Sequence, residues 1–191
     1  MANVRKIAVN ILLKIEKDSA YSNITLNSFL KDTELESIDK KLLSALVYGV
    51  LDRKITLDFV LSRFMKTPIK KTAPFTLAVL RTALYQIMFM DKIPESAAVN
   101  EAVKLIKKSK ENRNASFVNA VLRSVLRADS LMPDGDTITD LSVRYSAPLW
   151  LVESFVKDYG KETAILLLEE SLKPAPFTLR VNTIKIDSDS L

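Results

Sequence analysis

The sequence predicts an all-α protein. Three observations carry that expectation. Only three glycines (Gly49, Gly135 and Gly160) interrupt 191 residues. Apolar side chains recur at three- and four-residue spacing through most of the chain, and the apolar–polar alternation read as a strand comes late, at 177–182. With 48% hydrophobic and 27% charged residues, the chain has the composition of a globular protein able to build a real core.

Val4, Ile7, Ala8, Ile11, Leu12 and Ile15 form one buried stripe, with Arg5, Lys6, Asn10, Lys14 and Lys17 on the other faces of the same helix. A shorter helix is expected over 24–31. Ser37 or Asp39 can cap the next one, in which Leu43, Leu46, Val47 and Val50 share a face. The periodicity continues through Leu57, Val60, Leu61 and Phe64, so the stretch 49–53 is read as a kink or a tight break. Residues 66–72 form a loop, basic at Lys66, Lys70 and Lys71. Pro74 sits early in the following helix, where a missing N–H costs nothing, and Leu77, Leu80, Leu84, Ile87 and Met88 give it a wide apolar face. Pro94 and Ser96 restart the chain into a helix built on Val99, Ala102, Val103 and Ile106. A polar, basic loop over 107–114 precedes the helix of Phe117, Val118, Val121, Leu122 and Val125. Seven helices in this region make a bundle around a single core.

Pro133 and Gly135 mark 129–136 as the boundary between a domain at 1–130 and a second part at 131–191. Two short helices are expected over 149–159 and 161–172, divided by Gly160 and stopped by Pro174-Ala175-Pro176. The alternation at 177–182 then reads as the first strand of an incomplete α/β domain. A lone strand leaves its backbone groups unpaired, so the chain is expected to be the front part of a longer protein.

The sequence contains no cysteine and no histidine. Disulfides, thiolate metal sites, cysteine nucleophiles and the commonest general base are therefore missing, and no catalytic, cofactor-binding or metal-ligating residue is assigned. Asp39, Asp52 and Asp58 fall at helix starts or exposed positions and are read as caps rather than paired carboxylates. None of the glycines belongs to a phosphate-binding loop. No apolar run approaches the roughly 18–20 residues of a membrane span. The charged N-terminal stretch lacks the apolar core of a secretory signal, so the expected location is the cytoplasm.

Charge is unevenly spread. Residues 1–130 hold 22 Lys and Arg against 13 Asp and Glu, whereas 131–191 hold 6 against 10. The first part is therefore the one expected to face a polyanion. Within it, Lys104, Lys107, Lys108, Lys110, Arg113, Arg123 and Arg127 accompany a single acid, Glu111. Converging cations of this kind bind phosphates with a steep salt dependence; the alternative is a solvated surface. Arg123 and Arg127, four apart, share a helix face. Arg5 and Lys6 either extend the patch or are ordinary surface charges. Phe117, beside the basic loop, can stack on an unpaired base, although its spacing to Val121 favours the core. Asn100 and Asn119 adjoin apolar stripes and are assigned cross-helix hydrogen bonds.

Two segments carry a family pattern. Val99-Asn100-Glu101-Ala102-Val103 followed by Phe117-Val118-Asn119-Ala120-Val121-Leu122-Arg123 resembles the paired motif of the NusB-like RNA-binding domain. Leu46-Val47-Tyr48-Gly49-Val50-Leu51 and Leu80-Arg81-Thr82-Ala83-Leu84-Tyr85 look like its middle helices. That domain occurs alone in transcription antitermination factors and at the front of bacterial ribosomal RNA cytosine-C5 methyltransferases of the RsmB, Sun or Fmu family. Tyr145-Ser146-Ala147-Pro148-Leu149-Trp150-Leu151, Tyr159-Gly160 and Leu179-Arg180-Val181-Asn182 resemble the linker into the methyltransferase.

The resemblance implies a parent enzyme that uses S-adenosylmethionine and two cysteines absent here, so this chain would be its RNA-recruiting front end, without a cofactor of its own. The implied partner is RNA, specifically small-subunit ribosomal RNA, with no membrane or metal; homodimerisation, seen in some NusB-like proteins, joins the expected partners. The RNA-contacting residues so assigned are Arg5, Lys6, Lys107, Lys108, Lys110, Arg113, Phe117, Arg123 and Arg127. An antitermination-type factor and a helical protein–protein scaffold are the alternative readings.

Overall fold

The computed structural model describes the chain except for residues 1–2, 19, 33, 174, 177, 186 and 188–191. Seven α-helices fill the first part: α1 (Val4–Asp18), α2 (Ser22–Asp32), α3 (Ser37–Asp52), α4 (Lys54–Phe64), α5 (Pro74–Phe89), α6 (Glu95–Lys107) and α7 (Ala115–Leu126). Short 3-10 turns at Ile69–Lys71 and Asn112–Asn114 precede α5 and α7. Three further helices follow, α8 (Ile138–Tyr145), α9 (Leu149–Tyr159) and α10 (Lys161–Ser171).

Helix α5 is the axis of the bundle. Residues Thr76 to Leu84 and Gln86 are buried on every side, and α1, α3, α4, α6 and α7 pack around them. A helix enclosed this way needs apolar residues all round, which Leu77, Ala78, Val79, Leu80, Ala83 and Leu84 supply. Its buried polar groups are each engaged. Arg81 is 5% exposed, and its guanidinium donates from Nε and Nη2 to the two Asp58 oxygens at 2.7 and 2.8 Å. Its Nη1 donates to Glu16 at 2.8 Å, and Lys54 pairs with the same Glu16 carboxylate. Three helices (α1, α4 and α5) are thereby tied through one cation. Asp58 is thus an ion-pair partner rather than a cap: it lies within α4, where Arg81 claims both of its oxygens. Nor do Ser37 and Asp39 cap α3, whose N-cap is Glu36 without a side-chain hydrogen bond.

The break between α3 and α4 is a single residue, Arg53, whose N–H returns to Gly49. Gly49 is fixed by close approach: a Cβ there would lie 2.0 Å from Tyr85 Cζ on α5. Arg53 stacks over Phe89, 4.8 Å from the ring centroid.

The second part has its own apolar cluster of Leu141, Tyr145, Ala147, Val152 and Leu168. Helix α8, absent from the sequence expectation, opens with a reciprocal capping box between Thr137 and Asp140. It docks on the bundle where Thr56 Oγ1 donates to the Val143 carbonyl and the Ile55 N–H donates to Ser146 Oγ at 3.2 Å. Gly160, at φ 79°, joins α9 to α10 as expected. The strand anticipated at 177–182 is a correction. Residues 178–182 are irregular, and no strand occurs among the described residues, so the alternation finds no ladder to join; Phe177 lies outside the described residues.

Candidate nucleic-acid interface

The site begins with how α5 starts. Pro74 and Phe75 open the helix, and the Thr76 N–H is one of the donors left without an intrahelical acceptor. Glu111, from the connection between α6 and α7, supplies that acceptor. Its Oε2 receives the Thr76 N–H at 2.8 Å and the Thr76 hydroxyl as well. Asn114 Nδ2 donates to the same Thr76 Oγ1 at 2.9 Å. A carboxylate at a helix N-terminus is also favoured by the helix dipole. Upstream, Ser109 Oγ donates to the Ile106 carbonyl at 2.8 Å and accepts the Glu111 N–H at 3.0 Å. The basic connection is therefore stapled to α5 at Thr76 through Glu111 and Asn114, and braced upstream against the end of α6 through Ser109.

Beside this staple lies a cleft of about 640 Å³. Lys6 on α1, with Lys108 and Lys110 on the connection, lines it. Half-buried Phe75 and buried Leu105 give it apolar lining, and Asn3, Ser109 and Glu111 complete it. Lys6, Lys108 and Lys110 are exposed, and among the described residues none forms an ion pair. Three unneutralised ammonium groups around an apolar floor suit an anionic ligand with a flat apolar part.

The remaining sequence-assigned residues are distributed less simply. Arg5 is half-buried and donates from Nε to Gln86 Oε1 at 2.7 Å, so part of its guanidinium serves the fold. Lys107 and Arg113 are exposed beside the cleft without lining it. Lys104 donates to Glu101 at 2.8 Å and holds that carboxyl below the usual range. Phe117 is half-buried and packs against the main core. Arg123 and Arg127 lie on one exposed face of α7 with Ser116 and Ala120. At about 1.5 Å rise per residue they stand roughly 12 and 18 Å along the helix from its start. The cations that look continuous in sequence thus divide into a cleft and a separate arginine pair.

The two asparagines correct another expectation. Asn100 is exposed, and Asn119 accepts from Arg123 Nε, 3.1 Å away on its own helix, so neither makes a cross-helix bond. The sequence reading missed Asn3, Phe75 and Glu111 as cleft residues. The available signal was Glu111 itself, the one acid within the basic stretch. Among the described residues no group of His, Cys, Asp or Glu side chains is placed to hold a metal ion, and no helix is long and apolar enough to cross a membrane.

A seven-helix bundle with a basic cleft between its first helix, the start of α5 and the α6–α7 connection defines a class that comparison with known proteins makes explicit. Residues 2–127 match the NusB family, and the chain belongs to that family. Residues 147–191 match the Methyltr_RsmF/B-like, ferredoxin-like domain. The chain is similar to the probable ribosomal RNA small subunit methyltransferase B of Bacillus subtilis (strain 168), at 42% identity over 99% of this chain and 42% of that protein. Its similarity to the protein of the same description in Synechocystis is 33% over 97% of this chain and 42% of that one. Transcription antitermination protein NusB of Acetivibrio thermocellus is 31% identical over 71% of this chain and 94% of its own length. The crystal structure of PH0851 shares the fold, with a TM-score of 0.70 over 92% of this chain and 40% of that one, at 16% identity. The chain thus spans about two-fifths of the length of the methyltransferase relatives.

Proposed function

We propose that this chain is the RNA-recruiting front of an S-adenosylmethionine-dependent ribosomal RNA cytosine-C5 methyltransferase. In this reading residues 1–130 form the RNA-binding domain, and residues 131–191 lead into the catalytic part. The observation that carries it is the cleft, where Lys6 meets Lys108 and Lys110 on a stapled connection and none of the three is neutralised by a carboxylate. Similarity over nearly the whole chain to two methyltransferases supports this reading over an antitermination factor, because it includes α8 to α10. The methyl donor and the cysteine chemistry belong to sequence outside this chain, which has no cysteine. The proposed partner is small-subunit ribosomal RNA, in the cytoplasm.

The test is binding of small-subunit ribosomal RNA fragments across a salt series, with Lys6→Ala, Lys108→Ala and Lys110→Ala variants in parallel. Each loss should weaken binding to all fragments alike and reduce the salt slope by about one. Equal binding by wild type and the triple variant would remove the cleft from the function.

A further inference from the structure

The cleft contains one group that general phosphate attraction does not explain. A carboxylate in a ring of lysines repels a polyanion, yet Glu111 sits among the lining residues. Its role as a staple uses only half of it, since both hydrogen bonds from Thr76 fall on Oε2. Oε1 keeps its acceptor capacity. The uncharged polar groups of the cleft are partly used within the protein. Asn3 donates through Nδ2 to Glu101 at 3.5 Å and accepts the Lys6 N–H on Oδ1 at 3.0 Å. Ser109 Oγ donates to Ile106 and accepts from Glu111. A ligand entering the cleft therefore meets three ammonium donors, the apolar surface of Phe75 and Leu105, the remaining capacity of the Asn3 amide at the rim, and one charged acceptor, the Glu111 carboxylate.

We propose that the cleft receives one unpaired RNA base and that Glu111 Oε1 selects bases carrying an exocyclic amine. The inference rests on the RNA-binding reading above and deepens it. The flat base lies against Phe75 and Leu105, its flanking phosphates meet Lys6, Lys108 and Lys110, and the amine donates to Glu111. The volume falls in the range of about 300–1,000 Å³ typical of small-ligand sites, whereas a duplex offers only groove edges. Carboxylates accept from the cytosine 4-amino group, and uracil presents an oxygen at the same position. That oxygen would face Oε1 across the cleft, acceptor against acceptor. Since the staple fixes Oε2, the carboxylate cannot swing away from a mismatched base without releasing the start of α5.

The experiment compares an octauridine with the same oligomer carrying one central cytidine or adenosine, by fluorescence polarisation at fixed salt. Wild type should bind the amine-bearing oligomers roughly five- to tenfold more tightly. Glu111→Gln keeps a carbonyl for Thr76 and replaces the free acceptor with a donor, so the preference should vanish or invert toward uridine. A thermal melt of the variant accompanies the binding series, and Thr76→Val reports a weakened staple, without the hydroxyl's two bonds but with the backbone N–H bond, while the carboxylate is retained. If Glu111 serves only as a staple, Glu111→Gln and Thr76→Val will shift all oligomers by the same factor, and base selection is overturned. Equal affinity of wild type for all three oligomers overturns it too, while leaving RNA binding intact. No binding to any RNA overturns both readings.

Discussion

Replacing Thr76 by valine separates the geometry of the cleft from its charge. Thr76 is fully buried, and valine matches its shape while deleting the hydroxyl. Two hydrogen bonds are lost, the donation to the Glu111 carboxylate and the acceptance from Asn114. A hydrogen bond to a charged partner contributes about 1.5–3 kcal/mol and a neutral one about 0.5–1.5 kcal/mol. Glu111 and Asn114 are half-buried, so water recovers part of that, leaving a loss of about 2–3 kcal/mol. For a chain of this size the melting temperature should fall by roughly 5–10 °C. All three cleft lysines remain, so the salt slope of RNA binding should not change. Affinity should fall by about three- to tenfold, because the connection must be re-ordered on binding. The assay is RNA affinity at several salt concentrations, together with amide exchange across 108–114. Faster exchange in that segment with unchanged affinity would show that the stapled connection is not where RNA docks. A reduced slope would show that the hydroxyl acts through charge, against the reasoning.

Gly49→Ala places a methyl group 2.0 Å from Tyr85 Cζ and should destabilise the bundle by about 1–3 kcal/mol. Adding Tyr85→Leu should cost less than the sum of the two single changes; strict additivity in denaturant titrations would mean that the ring is not the obstacle. Burial raises the Glu16 carboxyl, but hydrogen bonds and charges from Lys54 and Arg81 outweigh it, so its net position is below the ordinary value of 4.5. A depressed folded value means that the contribution to stability is complete above about pH 4.5 and is lost as pH falls through the folded value. Glu16→Gln should therefore lower the urea midpoint at pH 7 and narrow its gap to wild type at pH 3. A gap that stays constant between those pH values would contradict the linkage.

Most of the helices were legible in the sequence because they bury apolar residues with a period near 3.6, and the family pattern of the paired motif pointed to how they assemble. Most of the failures have their physical origin in partners that lie far along the chain, whereas helix α8 was missed on a local signal. Helix α8 is only eight residues long, and its evidence was the capping pair Thr137 and Asp140 directly after a proline–glycine stretch. Alternation at 177–182 described side-chain polarity and could not supply a neighbouring strand. Asp58 had the residue type of a cap. The contrary signal was Arg81, a lone charge within the most apolar helix, which required a buried anion from elsewhere. The cleft was half legible: its lysines stood out by type. The staple linking Glu111 to Thr76, thirty-five residues apart, did not.

The cations of the bundle and its linker divide by whether the fold has already used them. Arg81 and Lys54 are held by Asp58 and Glu16, while Arg144 pairs with Asp136 and donates to the Gly135 carbonyl, pinning the linker. Such groups add little to RNA binding, because a phosphate would have to displace an existing partner. Only unpaired cations release counterions from the nucleic acid when they engage it. With single-stranded RNA each contributes about 0.7 to the slope of log affinity against log salt, so Lys6, Lys108 and Lys110 alone predict a slope near −2. Engagement of Lys107, Arg113, Arg123 and Arg127 as well would bring it to roughly −5. Because the arginine pair stands well along α7 from the cleft, a short oligomer of two or three nucleotides should show the smaller value and a longer one the larger. A slope near −5 with the short oligomer would place the whole basic stretch in one contact surface, contrary to the division seen in the fold.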